Sequence, residues 1–159
     1  MGATADRQGV IVSCASCGRS NRLRYDTLGR TARCGNCRAN LPSPSAPIEI
    51  ADSAAFDAAA MDSSLPLLVD FWAPWCGPCR MVAPELEKVA RASAGRYLVV
   101  KVNTDVVTEV AARFTVRSIP TLALVYKGRE IDRVTGVRPA SEIEAFATRA
   151  MANATPRAS

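Results

Sequence analysis

From residue 48 onward the chain switches repeatedly between short apolar runs and stretches whose apolar residues recur every three or four positions. Runs of strand length are Ile48–Ile50, Leu65–Trp72, Tyr97–Val102, Thr121–Tyr126 and Glu130–Thr135. The second and third are apolar almost throughout, as expected of strands buried on both faces. Helical spacing predicts Ser53–Met61, capped by Asp52 or Ser53, then Cys76 to about Ala94, Val106–Phe114 and Pro139–Met151. Their expected buried stripes are Val82, Leu86 and Val89, then Val106, Val110 and Phe114, then Ile143, Phe146, Ala147 and Ala150. Pro84 predicts a kink in the second helix. Lys127–Gly128–Arg129 predicts a hairpin turn between the last two strands. The order βαβαβαββα implies parallel crossovers followed by a hairpin. That is an α/β fold with a mixed central sheet and helices on both faces.

Upstream of residue 48 this rhythm fails. The segment LPSPSAP, residues 41–47, holds three prolines and two serines and predicts an extended linker. It divides a Cys- and Arg-rich module, residues 1–40, from a body spanning 48–152, and residues 153–159 are expected to fray. A chain of 159 residues has room for one ordinary domain and such an appendage. Hydrophobic residues make up 48% and charged residues 22%, a globular balance with no apolar run near the roughly 20 residues that span a bilayer. The only apolar block near the start is Val10–Ile11–Val12, too short for a signal peptide. The expected location is therefore the cytoplasm, a reducing compartment where structural disulfides rarely persist.

Charge changes the picture for the N-terminal module alone. The net charge of +5 lies in residues 1–45, where seven arginines face only Asp6 and Asp26; the rest of the chain is neutral. A basic segment can bind nucleic acid, but only Tyr25 offers a stacking aromatic there.

The candidate chemistry centres on FWAPWCGPC, residues 71–79. A strand followed by a helix puts Cys76 at a helix N-terminus, where unpaired N–H groups and the helix dipole stabilise a thiolate. Cys79 falls on the same helix face. One exposed, ionised thiol with another close behind can attack a foreign disulfide and then resolve the mixed disulfide. Gly77 allows close backbone approach, and Pro78 stiffens the first turn. The competing reading, half of a metal site, lacks further ligands: residues 41–159 contain no other cysteine, and the chain contains no histidine. Without histidine another proton carrier is required. Asp70 lies in an otherwise apolar run, where desolvation raises a carboxyl toward neutrality. A structural ion pair between Asp70 and Lys101 is the alternative.

The segments VDFWAPWCGPCRMVAPELEKVA, VVKVNTD, RFTVRSIPTL and KGREIDRVTGV resemble the thioredoxin family in order and spacing, over about residues 48 to 152. The resemblance implies Cys76 as attacking thiolate, Cys79 as resolving thiol, Asp70 as the buried carboxylate serving Cys79, and Lys101 as its partner. It further implies a cis Ile119–Pro120 bond with the Ile119 backbone pairing to substrate. Trp75, Gly136 and Val137 match the apolar rim of the substrate-binding face, although a tryptophan beside a thiol is as readily plain packing.

The module upstream carries CASC (Cys14, Cys17) and CGNC (Cys34, Cys37), separated by 16 residues. That spacing predicts one structural Zn²⁺ held by four thiolates, closed to chemistry. Gly18 and Gly35 suit the tight turns such knuckles need. A piece of about 40 residues buries too little surface to fold without its metal. Two disulfides are the alternative, disfavoured in a reducing compartment. Zinc with four thiolates carries charge 2−, so the arginines partly balance it, and nucleic acid is not an expected partner. The whole chain resembles the thioredoxin subgroup with an N-terminal zinc ribbon, usually called thioredoxin 2 in bacteria. The expectation is a monomeric protein-disulfide reductase acting on disulfide-containing proteins and recharged by an NADPH-dependent thioredoxin reductase. No membrane partner and no bound organic cofactor are expected. A redox-switched zinc-ribbon adaptor or holdase, or an oxidase or isomerase on the same fold, are the alternatives.

Overall fold

The five strand-length runs pair with three N-terminal strands into one eight-stranded mixed sheet. The computed structural model describes residues 3–154. Five short strands come first: β1 (Ala3–Ala5), β2 (Gly9–Ser13), β3 (Ser20–Arg24), β4 (Ala32–Arg33) and β5 (Asn40–Leu41), with a 3₁₀ turn at Tyr25–Thr27. Then follow β6 (Ile48–Ile50), α1 (Ser53–Asp62), β7 (Leu67–Trp72), α2 (Gly77–Ala92), β8 (Leu98–Asn103), α3 (Thr108–Arg113), β9 (Thr121–Tyr126), β10 (Arg129–Thr135) and α4 (Ala140–Ala154). From β6 onward the order is the βαβαβαββα read from the sequence. The sheet runs β10-β9-β7-β8-β6-β1-β2-β3, and β4 pairs β5 separately. Strands β6, β7 and β8 are parallel, while β9 and β10 run antiparallel.

Pleating sends alternate side chains to opposite faces. Leu67, Val69 and Phe71 pack with Val100, Val102, Phe56 of α1 and Val110 of α3. Leu68, Val99, Leu122 and Leu124 pack with Val82, Leu86 and Val89 of α2 and with Ile143, Phe146 and Ala147 of α4. Helix α1 starts at Asp52, whose carboxylate accepts the Ala55 N–H at 2.8 Å. Helix α2 runs unbroken through Pro84. Lys127 (φ 51°) and Gly128 (φ 79°) both take positive φ, so the β9–β10 connection is a two-residue type I′ turn.

Three local expectations need correction. Val106 does not enter the core; it is 64% exposed and Val107 is buried, because α3 begins only at Thr108. The last helix reaches Ala154, two to three residues past the expected end; of the expected frayed tail, residues 155–159 lie outside the described residues. In the knuckles, Gly18 takes a left-handed φ of 80°, but its counterpart is Arg38 at 67°, not Gly35. The reason is register: in each knuckle the left-handed residue directly follows the second cysteine.

The largest surprise concerns the N-terminal module. Strand β1 lies parallel to β6, with Ala3, Thr4 and Ala5 opposite Ile48, Glu49 and Ile50, and the β2–β3 hairpin continues from it. The sheet thus crosses the Pro-rich boundary. Tyr25 and Leu28 are buried in the same core as Phe56 and Leu67. The Tyr25 hydroxyl donates to the Asp6 carbonyl at 2.6 Å, and the Ser64 hydroxyl to the Leu28 carbonyl at 2.6 Å. Within residues 41–47, Leu41 closes β5 and Pro44 is buried.

Candidate active site and four-cysteine cluster

Strand β7 ends at Trp72, and four residues later the chain enters α2 with Cys76 as its N-cap. Cys76 and Cys79 are joined by a disulfide, with Cα atoms 5.3 Å apart, inside the usual range. The Cys79 backbone N–H donates to Cys76 Sγ at 3.2 Å, one of the unpaired donors of the first turn. Both cysteines are 4% exposed and pack with Ala73, Trp72 and Ile119, so in the disulfide form Cys76 is buried rather than exposed as expected. Gly77 has open space where a Cβ would stand, so a partner's backbone can approach there. Arg80 braces the loop, its guanidinium donating to the Pro74 carbonyl at 2.7 Å.

The predicted rim gathers around Cys76. The Ile119–Pro120 peptide is cis. The Ile119 carbonyl oxygen lies 3.8 Å from Cys76 Sγ. Gly136 donates its N–H to the Pro120 carbonyl at 2.9 Å, tying the segment that carries Val137 to this loop. Trp75 is 69% exposed and Val137 43%, large apolar groups open to a partner. The Trp75 indole N–H donates to Asp105 at 3.0 Å. Asp105 was not singled out from the sequence, although it closes the segment VVKVNTD.

Beneath Cys79, a cleft of about 300 Å³ is lined by Asp70, Trp72, Cys79, Arg80 and Lys101 among others. Asp70 is 1% exposed, and its Oδ1 has no hydrogen-bond partner. Burial pushes its carboxyl up to about 7; Lys101 pulls against this and the Glu49 charge adds to it. Lys101 sits opposite Asp70 in the β7–β8 register, with its ammonium 4.5 Å from the centre of the Trp72 ring. The expected site residues Asp70, Cys79 and Lys101 therefore share one cleft. Glu49, absent from the sequence reading, is the neighbour of Lys101 on its other side; a glutamate between two core isoleucines was the available signal.

The other four cysteines occupy the tips of two hairpins. Cys14 and Cys17 join β2 to β3, and Cys34 and Cys37 join β4 to β5. Their sulfurs lie within 4.8 Å of one another and could hold a metal ion. The Cys14–Cys37 and Cys17–Cys34 sulfur distances are 3.6 Å. Tetrahedral thiolates about 2.3 Å from one Zn²⁺ stand about 3.8 Å apart, so this donor set fits zinc. Cys34 is drawn down to about 6 by the backbone N–H groups of Cys37 and Asn36 and by the Asn21 amide. Asn21 links the knuckles, accepting the Gly35 N–H at 3.0 Å and donating to Cys34 Sγ at 3.5 Å. It carried no signal in the sequence.

A disulfide-bonded cysteine pair at the N-terminus of the helix after a central strand, in a mixed sheet with a cis-proline loop beside it, defines a thioredoxin-fold thiol-disulfide oxidoreductase. The thioredoxin family model matches residues 47–149. Thioredoxin C-3 of Corynebacterium nephridii is 40% identical over 136 residues, 85% of this chain and 91% of its own length, a match that extends into the N-terminal module. Thioredoxin 1 of Nostoc sp. is 50% identical over 95 residues, 60% of this chain and 88% of its own. Among solved structures, an N21Q mutant thioredoxin from Halobacterium salinarum superposes with a TM-score of 0.62 at 28% identity, covering 69% of this chain and 94% of that one. The thioredoxin of Malassezia sympodialis gives 0.61 at 30% identity, covering 72% and 97%. The chain belongs to the thioredoxin family.

Proposed function

We propose that this thioredoxin is a protein-disulfide reductase of the zinc-ribbon type, thioredoxin 2. Residues 1–40 form the ribbon, 41–47 the connection and 48–152 the catalytic domain. The observation that carries this reading is the shared cleft: a Cys76–Cys79 pair at a helix N-terminus, with Asp70 and Lys101 directly behind Cys79. In the reduced protein the Cys76 thiolate attacks one sulfur of a substrate disulfide, and the other departs as a thiolate. Cys79 then yields its proton to the Asp70 carboxylate and attacks Cys76 Sγ. The bond between Cys76 and the substrate breaks, releasing the second substrate thiolate and leaving the Cys76–Cys79 disulfide. Trp75, Ile119, Pro120, Gly136 and Val137 form the apolar seat for an extended segment of the substrate protein. Gly77 leaves room for its backbone, and Pro78 keeps the first turn of α2 rigid.

Cys14, Cys17, Cys34 and Cys37 hold one Zn²⁺, which supplies a structural crosslink when bound and no open coordination position. A flavoprotein thioredoxin reductase using NADPH returns two electrons to the disulfide. The cytoplasm is the compartment that suits four metal-binding thiols and a reducing dithiol. Among the described residues no helix is long and apolar enough to cross a membrane.

The test is multiple turnover of an insulin-type disulfide substrate by the full chain with thioredoxin reductase and NADPH. A reduction potential near −270 mV, the value for a reducing thioredoxin, is expected. Stoichiometric reduction without turnover, or a potential near −120 mV, would overturn the reading.

A further inference from the structure

Three adjacent strands each place one ionisable residue in a single register line. Glu49 of β6 stands opposite Lys101 of β8, and Lys101 opposite Asp70 of β7. Their chain neighbours Ile48, Ile50, Val100, Val102, Val69 and Phe71 belong to the α1–α3 side of the sheet, so all three lie on the α2 side. Strands are spaced about 4.8 Å apart, which sets Glu49 and Asp70 about 10 Å from one another with Lys101 between them. Among the described residues Lys101 makes no ion pair within 4.0 Å; its ammonium rests over Trp72 instead. Two clefts meet at this lysine. One contains Asp70 and Cys79. The other, of about 530 Å³, contains Glu49, Glu87, Arg91 and, from the N-terminal strand, Thr4.

We propose that Glu49 is a positioning residue for the resolving step, sharing the Lys101 cation with Asp70 so that Lys101 does not hold Asp70 as a permanent carboxylate. This rests on the reading of Asp70 as the group that takes the Cys79 proton. An exclusive Asp70–Lys101 pair would make that carboxylate a poor base, because an adjacent cation favours the ionised form. A second carboxylate on the far side of the lysine offsets that pull and adds its own negative field. The groups facing Asp70 are Lys101 from β8, Cys79 and Arg80 from α2, and apolar Leu122 from β9. Those facing Glu49 are Lys101, Glu87 and Arg91, the last two opposite in sign, with uncharged Thr4 from β1. Burial raises the Glu49 carboxyl too, against Lys101, consistent with both acids drawing on one cation.

The experiment follows the Asp70 carboxyl by ¹³C NMR in the reduced full chain and, in parallel, the pH profile of disulfide turnover. Parent, Glu49→Gln, Glu49→Asp and Asp70→Asn are compared. Glu49→Gln should lower both the Asp70 midpoint and the acid limb of turnover by about half a pH unit to one unit, the effect of one charge at about 10 Å in a partly screened site. Glu49→Asp should restore both toward the parent values. An unmoved Asp70 midpoint in Glu49→Gln overturns the proposal, and if Asp70→Asn still abolishes the acid limb the Asp70 reading survives alone. A midpoint that moves while turnover keeps its profile in both Glu49→Gln and Asp70→Asn overturns the Asp70 reading, and the positioning role with it.

Discussion

The chain uses the Cys-x-x-Cys spacing three times, in two kinds of local structure, and the contrast shows how little spacing alone decides. At 76–79 the first cysteine caps a 16-residue helix and the second lies one turn inside it. The two sulfurs meet each other, and among the described residues no group of three or more metal-ligating side chains includes them. At 14–17 and 34–37 the pairs sit on hairpin tips, and the close contacts run between knuckles, Cys14 to Cys37 and Cys17 to Cys34. The backbone that follows the first cysteine makes the difference. A helix aims free N–H groups at one sulfur and folds the second against it; a knuckle with a left-handed residue after its second cysteine points both sulfurs outward to a shared centre. The first arrangement suits redox chemistry, and the second is one that could hold a metal ion.

Exchange of serine for cysteine gives the sharpest separation. Cys76→Ser should abolish reduction altogether, while Cys79→Ser should accumulate mixed disulfides visible on non-reducing gels, because only the attacking step survives. Cys14→Ser with Cys17→Ser should lose the metal and still reduce disulfides. If that double variant lost turnover as completely as Cys76→Ser, the two kinds of site would not be separate in function.

Next in size is the buried carboxylate, which only the redox site possesses. The folded-state pKa of Asp70 lies near 7, above the ordinary 3.8, so the folded protein binds the proton more tightly than the unfolded chain. Its contribution to stability is then complete below about pH 4 and is lost as pH rises toward 7. Asp70→Asn should remove this dependence. The variant should match the parent near pH 4 and exceed it at pH 8 by at most about 4 kcal/mol, taking 1.36 kcal/mol per unit. Urea unfolding at the two pH values measures this. Turnover at neutral pH should fall about 10²-fold, the lower range for a lost acid–base group. Equal stability of the two proteins at pH 8 would return Asp70 to a compensated ion pair.

Metal removal probes the boundary between the regions, where the sequence was least informative. From β6 to α4 the elements were readable because each carries its own periodicity; Cys76 and Cys79 stood out by their spacing at a strand-to-helix passage, and Asp70 as a charge in an apolar run. The junction carried no such signal. Ala3–Ala5 is a three-residue strand without an apolar pattern, and its partner lies more than 40 residues away. Glu49 did carry a signal, a charge between two isoleucines, but its significance depends on register with Lys101. Because β1 covers the β6 edge and Tyr25 and Leu28 enter the main core, chelation should cost the body stability as well as unfold the ribbon. At roughly 1.5–3 kcal/mol per buried large side chain, a loss of about 3 kcal/mol is expected. That is roughly a 10 °C fall in Tm for a chain of this size. Calorimetry with and without chelator tests it, and an unchanged main transition would show that the ribbon adds nothing to the stability of the body.

The smallest effect distinguishes the two knuckles from each other. Both place a left-handed residue after the second cysteine, Gly18 in one and Arg38 in the other, each donating its N–H to the carbonyl of the first cysteine, at 2.8 Å and 3.1 Å. Nothing lies within 4 Å of a Cβ built on Gly18, so Gly18→Ala meets no clash and its cost is purely conformational, about 1 kcal/mol. Arg38 already bears that strain. Arg38→Gly should relieve it, but glycine also gains freedom in the unfolded chain, about 0.4–1 kcal/mol, leaving a net gain near 0.5 kcal/mol. Thermal melts of the metal-loaded full chain should therefore move in opposite directions for the two variants, with disulfide turnover unchanged in both. If Gly18→Ala and Arg38→Gly shifted the melt the same way, backbone strain would not be what distinguishes the knuckles, and the arginine's charge beside the four thiolates would become the governing difference.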